Sequence, residues 1–571
     1  MIRGEIGRRI ELTIRQNLLN LDLDRDFIGH FEVRESGAPG DYVGLGKLVD
    51  ALVRFAAWKG QSDLKSLKES VLARIRATQE PDGYIGVFKP GERGWKLWDL
   101  HEMAYLVAGL TSDYALHGEE ASLESAEKLM QYIMGTVNDE QLEAFKRQGI
   151  TFANASIGLE RAFMGLYQAT GKESYLEFGL EHTGLREWDW PILMNAKGHA
   201  YTYMARCLEQ LELFRLIGDA KLLGQSHRVI QFLLAENGLV ITGGLSQMER
   251  WTDNQFGQHA LAETCAVAYL LKLLDSLLRI EGNTLYGDVM ERVVFNTLFA
   301  AQSPDGRKIR YFTPFEGERH YFNKDTYCCP GNFRRVMSDL GAMVYYQASD
   351  GLMVNLYTSS EATLEIRPGE FVTVSQETDF PTDGRVRLTV DASPGSEWAL
   401  HLRIPRWARK ARAAVNGEDT TEPVEAGKAL VLHRRWVPGD QVELEMPMPL
   451  RAVRGREMQS RHVAVMRGPL VFGVNTTRQS MHLESELPLI RLDPRNLEGP
   501  GPDSSVRPGG LVVRGRGWSK RTGINGSPDL DLEFSEFIDP GIRRIYFMTP
   551  DLLDEVIEDD ELHLPGLQVG G

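Results

Sequence analysis

Cysteine is scarce in this chain: Cys207, Cys265, Cys328 and Cys329 are all it has in 571 residues. A disulfide framework of the kind that holds small secreted domains together is excluded, so each thiol is either incidental or has a particular task. Long apolar runs are missing too. No stretch of about 18 uncharged apolar residues occurs, which leaves no helix to span a membrane. Met1 to Asp22 alternates charged and apolar residues and lacks the apolar core of a signal peptide, so a reducing cytoplasm is the expected compartment. Basic residues are outnumbered, 64 Lys and Arg against 80 Asp and Glu for a net charge of −16. Neither nucleic acid nor an anionic membrane is therefore an expected partner.

What is present is enough apolar material, 42% of residues, to fill cores in roughly two to four domains. Up to about residue 345 the apolar residues recur at helical spacing. Ser62 leads into Leu64, Leu67, Val71 and Ile75, and the pattern stops at Pro81-Asp82-Gly83. An apolar pair, polar residues, a glycine and a new helix recur at Leu166 to Gly171, Leu213 to Gly218 and Leu277 to Gly282, with looser copies ending at Gly60 and Gly118. These glycines are 58, 53, 47 and 64 residues apart, the length of a helical hairpin, and each suits the left-handed position that closes a helix. About six such hairpins fill residues 1–345 and predict an (α/α)6 toroid; ordinary helix ends in an irregular helical domain are the alternative.

Beyond residue 345 the period changes to two, as in Leu352 to Tyr357 and Trp398 to Ile404, with Val415-Asn416-Gly417 as a hairpin turn. Strand patterns at Gln441 to Glu445 and Val463 to Met466 extend this to a β-sandwich over residues 346–478. Residues 479–571 begin loose and rich in Pro, Gly and Arg, then carry a last strand group, Asp529 to Phe534 and Arg544 to Phe547, that completes or adds to the sandwich. The acidic Glu555 to Glu561 reads as a solvated tail.

The chemistry concentrates in two short segments. Glu263-Thr264-Cys265 and Tyr327-Cys328-Cys329-Pro330 contain three of the four cysteines and a carboxylate, a full set of four ligands of types that zinc accepts. Adjacent cysteines reach one metal only through an irregular backbone, expected here at Pro330-Gly331. Inert buried thiols and a vicinal disulfide are the other readings. Nearby, Thr242-Gly243-Gly244 leads to Glu249-Arg250-Trp251; a carboxyl held against Met248 and Trp251 has its pKa raised and suits a general acid, whereas a surface ion pair with Arg250 is the bland reading. His101 and His199 stand at helix starts, where the inner ring of a toroid would aim them at a ligand.

With these residues the sequence resembles glycoside hydrolase family 127, the β-L-arabinofuranosidase family. The matching motifs include Gln79 to Tyr84, His101-Glu102, Gly198-His199-Ala200, Thr242-Gly243-Gly244, Glu263-Thr264-Cys265, Tyr311 before Pro314, Cys328-Cys329-Pro330-Gly331-Asn332, Leu402 to Trp407, Arg435 to Asp440 and Arg467 to Leu470. The resemblance implies the toroid and sandwich, a Zn2+ held by Glu263, Cys265, Cys328 and Cys329, and retaining hydrolysis with Cys328 as nucleophile and Glu249 as acid and base. It also implies a sugar pocket lined by His101, His199 and Tyr311; Asn332 and Trp251, in the flanking motifs, complete the candidate substrate contacts. The implied substrate is a glycan ending in a furanose such as β-L-arabinofuranose, and a homodimer is an allowed assembly. The chain departs from the family pattern where Glu249 and Glu263 stand 14 positions apart, two fewer than usual, and at Thr326, Ser156 and Tyr42 to Lys47. A uronate lyase on the same kind of toroid, or a carbohydrate-binding protein with structural zinc, are the alternatives from other classes.

Overall fold

The computed structural model describes residues 1–34, 37–58, 60–94, 96–141, 158–194, 198–479, 486–519, 526–550 and 555–569. Ser156 lies outside them. Among the described residues up to Met343 the regular elements are helices. Numbered in chain order, the principal helices are α1 (Gly4–Leu12), α2 (Leu45–Ala56), α3 (Ser62–Ala77), α4 (Leu97–His117), α5 (Glu120–Thr136), α6 (Leu159–Thr170), α7 (Glu173–Thr183), α8 (Ala200–Ile217), α9 (Gly224–Ala235), α10 (Thr264–Glu281), α11 (Thr284–Val293) and α12 (Cys328–Asp339).

Their packing is cyclic. Helix α2 packs on α4, α4 on α6, α6 on α8, α8 on α10, α10 on α12, and α12 back on α2. The odd-numbered helices α3, α5, α7, α9 and α11 each pair with the even-numbered helix before them. The apolar content explains this division. Almost every residue of α2 and α10 is buried, as expected of helices covered on all sides, whereas α3 buries only Leu64, Lys68, Val71, Leu72 and Ile75 along one stripe. Gly118, Gly171, Gly218 and Gly282 close α4, α6, α8 and α10 in the left-handed conformation the sequence pattern anticipates.

Strands begin at Tyr345 and form three sheets among the described residues. A four-stranded sheet (residues 345–354, 397–403 and 429–435) and a six-stranded sheet (residues 360–392, 412–419 and 441–445) precede a nine-stranded one. Asn416 and Gly417, both at positive φ, make the hairpin turn of the second sheet. The third sheet departs from the expected continuous sandwich. Strands Leu450–Arg454, His462–Arg467 and Leu470–Asn475 join the strands after residue 490, and pairing of His462–Arg467 with Leu470–Asn475 closes six of its strands into a ring. Closure leaves those strands without a free edge.

The acidic C-terminal segment is not a solvated tail. Asp560 is buried and the Glu561 side chain is covered against Arg292 of α11, and Glu561 also meets Arg451 at 2.9 Å. A second buried latch joins the helices to the first sheet: Arg403 reaches Asp288 and Glu291 of α11, each at 2.6 Å, and Trp407 Nε1 donates to Glu291 at 2.8 Å.

Candidate active site

The N-termini of α10 and α12 meet at one point. Glu263 caps α10 and Cys265 lies in its first turn; Cys328 and Cys329 are the first two residues of α12. Both helices thus aim the positive ends of their dipoles at these thiols, an arrangement that favours thiolates. The irregular backbone that turns two consecutive cysteines inward precedes them: Tyr327 sits at φ +82°, held by its N–H to Val43 O at 2.7 Å, while Pro330 and Gly331 are ordinary first-turn helical residues. The Sγ atoms and a Glu263 carboxylate oxygen all lie within 4.8 Å of one another, with Cys265 and Cys329 Sγ 3.3 Å apart. Glu263 Oε2 is buried without a hydrogen-bond partner. Among the protein groups alone, burial and the neighbouring Cys328 push Glu263 well up, and burial does the same to Cys265 and Cys329. Cys328 is held well below the ordinary thiol range by hydrogen bonds from Cys265 and Cys329. An orphaned carboxylate oxygen among three thiols is a donor set that can hold a metal ion.

The carboxylate opposite arrives by a strained route. Gln247 and Arg250 exchange backbone hydrogen bonds across a two-residue hairpin whose central residues, Met248 and Glu249, both have positive φ. Such turns normally take Asn-Gly, and non-glycine residues held there store strain typical of functional sites. Ala200 N–H donates to Glu249 O at 2.9 Å and Trp251 N–H to Gly198 O at 3.3 Å, tying the hairpin to the start of α8. Gly198 is required for this approach, because a Cβ there would stand 1.9 Å from Leu193 O. The shortened spacing therefore still brings Glu249 into the site. Its Oε1 accepts from Tyr311 Oη at 2.7 Å, its Oε2 lies 3.6 Å from His199 Nε2, and Tyr311 Oη is 3.3 Å from Cys328 Sγ. Tyr311 is itself fixed by its neighbours, since Thr264 N–H donates to Tyr311 O and the Thr264 hydroxyl to Arg310 O. Burial raises the Glu249 pKa and pushes His199 down to about 4, so His199 is neutral at pH 7.

Three of the expected sugar contacts are buried among protein groups. Asn332 is fully buried one helical turn beyond Cys328, where its Nδ2 donates to Cys265 Sγ at 3.2 Å and its Oδ1 accepts from Arg335. Trp251 follows the turn that carries Glu249 and is buried in the core between Tyr203 and Phe232. His101 is enclosed by Trp98, Tyr105 and Lys47, whose Nζ is 2.8 Å from His101 Nε2. Lys47 escaped the sequence reading. The available signal was the charges Lys47 and Asp50 among the fully buried residues of the mostly apolar α2; Asp50 holds Arg335 at 2.6 Å. Glu291 and Glu316, other carboxylates in this half of the chain, are held by Arg403 and Arg544 and cannot serve as the acid.

A carboxyl group with a raised pKa and a low-pKa thiol both touch one tyrosine at a partly open face, an arrangement chemically able to pair an acid with a nucleophile. The family models described as "Beta-L-arabinofuranosidase, GH127 catalytic domain" and "GH127 middle domain" match residues 12–342 and 351–448. The chain belongs to glycoside hydrolase family 127 and is a glycosidase. It is 26% identical over 493 residues to a non-reducing end β-L-arabinofuranosidase of Bifidobacterium longum subsp. longum, covering 73% of this chain and 72% of that protein. Its fold matches a GH127 β-L-arabinofuranosidase from Geobacillus stearothermophilus T6 with a TM-score of 0.79 at 22% identity, over 96% of this chain and 100% of the other. A GH127 β-arabinofuranosidase matches with the same TM-score at 19% identity, over 98% of both chains. Among the described residues no helix is long and apolar enough to cross a membrane.

Proposed function

We propose that this enzyme releases non-reducing terminal β-L-arabinofuranose from glycans by retaining hydrolysis, with Cys328 as nucleophile and Glu249 as acid and base. The observation that carries this is the shared Tyr311 oxygen. Because Glu249 Oε1 and Cys328 Sγ both reach it, they stand no more than about 6 Å apart, the separation of retaining glycosidases and too short to admit the extra water of inverting ones. Cys328 Sγ bonds to the anomeric carbon as the glycosidic C–O bond breaks and Glu249 gives its proton to the departing oxygen. Glu249, now ionised, takes a proton from water, which attacks the thioglycosyl carbon and returns the electron pair to sulfur. Tyr311 has one phenolic hydrogen for two acceptors. It turns to the Cys328 thiolate while Glu249 is protonated and to Glu249 once that proton has gone. Neutral His199 beside Glu249 offers its ring to a sugar hydroxyl.

Glu263, Cys265, Cys328 and Cys329 would hold Zn2+, which when bound supplies the positive charge that keeps buried thiols ionised. The cyclic packing of the even-numbered helices supports reading residues 1–345 as an (α/α)6 toroid. The first two sheets support a β-sandwich in the part of 346–478 up to Glu445, and the third sheet adds the strands from Leu450 onward to the β region. A panel of p-nitrophenyl furanosides and pyranosides, with metal analysis on the same preparation, tests the function. Turnover is expected with β-L-arabinofuranoside and lost by more than about 10⁴-fold in Cys328→Ser; a variant that kept its activity would remove Cys328 from the chemistry.

A further inference from the structure

A cavity of ≈ 480 Å³ adjoins the catalytic pair without containing the cysteines, within the roughly 300–1,000 Å³ of ordinary ligand pockets. One wall is the segment Gln258 to Ala260. This segment is the direct neighbour of the hairpin that carries Glu249: Met248 N–H donates to Ala260 O at 2.8 Å, and Gln247 Nε2 to Gln258 O at 3.1 Å. The facing wall includes Tyr311 itself and Phe322, whose rings lie 5.2 Å apart. His259 and His320 stand at the rim, His320 three-quarters exposed. The facing wall is braced from two sides. Phe315 and Glu316 N–H both donate to Gly257 O, Gly317 N–H donates to Arg543 O, and Glu316 pairs with Arg544.

We propose that this cavity is the leaving-group subsite, which receives the sugar residue next to the bond being cut. The inference rests on the function proposed above. A general acid protonates the departing oxygen directly, so whatever that oxygen carries must lie on the acid's side of the scissile bond. The cavity is bounded on one side by the segment hydrogen-bonded to the Glu249 hairpin and on the other by the tyrosine that holds the Glu249 carboxylate. Its chemistry suits a sugar ring. The aromatic faces of Phe322 and Phe312 take the apolar C–H face, and the rim imidazoles take hydroxyls. The step balances as hydrolysis: the glycosidic C–O bond breaks, Glu249 supplies the proton, and the cavity holds the resulting free alcohol of the second sugar. The bracing by Arg543 and Arg544 gives the C-terminal β region a part in substrate choice.

The test compares kcat/KM for a disaccharide ending in β-L-arabinofuranose with that for methyl β-L-arabinofuranoside. It uses the unaltered enzyme, a cavity-filling Ala260→Trp and a rim His320→Trp. His320 is on the surface, so its replacement does not threaten folding. In both variants the disaccharide-to-methyl ratio should fall at least tenfold, mainly through KM. A ratio unchanged in both variants, with the unaltered enzyme active on both substrates, overturns the subsite and leaves the function standing. An unaltered enzyme inactive on both overturns the function and the subsite together.

Discussion

Replacing Glu249 by Gln is the most informative single perturbation, because the structure separates its chemical cost from its positional one. Glutamine keeps an oxygen at Oε1, so it can still accept the 2.7 Å bond from Tyr311, and the hairpin that presents it is held by backbone groups and the Gln247 amide, independently of the carboxylate. What is lost is the proton. General acid catalysis contributes about 10²–10⁴-fold, so kcat/KM for an alkyl or disaccharide substrate should fall by about 10³, or about 4 kcal/mol at 1.36 kcal/mol per tenfold. A p-nitrophenoxide leaves with little protonation, and its kcat/KM, which reports only the steps up to bond cleavage, should fall less than about tenfold. The same variant lacks the base for the second step, so kcat for the aryl substrate should collapse to the rate of breaking down the thioglycosyl enzyme. Azide, which needs no base, should restore it and yield a glycosyl azide with the substrate's anomeric configuration. Steady-state kinetics on matched aryl and alkyl glycosides, with and without azide, make the measurement. Equal losses on both substrates would refute the reasoning and reduce Glu249 to a positioning group.

Two further outcomes follow from the buried charges. Chelation should bring Cys265 and Cys329 into reaction with a thiol reagent under native conditions and lower Tm, while Cys207, enclosed in α8, stays silent; an unchanged thiol count would mean that no metal holds them. Burial alone would raise the pKa of Glu561, but Arg292 and Arg451 outweigh it and draw it down to about 2. The resulting stability, on the order of 3 kcal/mol, is fully present above the ordinary carboxylate pKa and disappears as pH falls from about 4.5 toward 2. Glu561→Gln should flatten that acid dependence in denaturant melts, and a variant with the slope of the unaltered enzyme would contradict the clamp.

What could be read from the sequence followed residue type and local period. The glycines at 118, 171, 218 and 282 mark helix ends because the left-handed conformation selects them locally. The Glu263, Cys265, Cys328 and Cys329 set is legible because few other residue types can do its work. Direction was harder. Asn332 lies in a site motif, yet helical geometry swings it beneath Cys265, and Trp251, just past the Glu249 turn, packs into the core on Tyr203 and Phe232. The Met248-Glu249 turn carries no Asn or Gly to announce it. The clamp at Asp560 and Glu561 needs Arg292 and Arg451, more than a hundred residues away, before its acidity reads as burial rather than solvation. Period two likewise runs through Met466 without marking where one sheet stops and the next closes.

The packing of α12 against α2 has a consequence for biosynthesis. Cys328 and Cys329 lie on the last helix of the ring, and Asp50 in the first meets Arg335 across 285 positions of chain. A nascent chain that has not yet emitted residue 328 from the ribosome has Glu263 and one of the three clustered thiols, and an open seam along α2. Contacts of such long range form late and slowly. Closure of the seam and completion of the Glu263, Cys265, Cys328 and Cys329 cluster are thus the same folding event, and a chain truncated before it carries neither Cys328 nor a finished core.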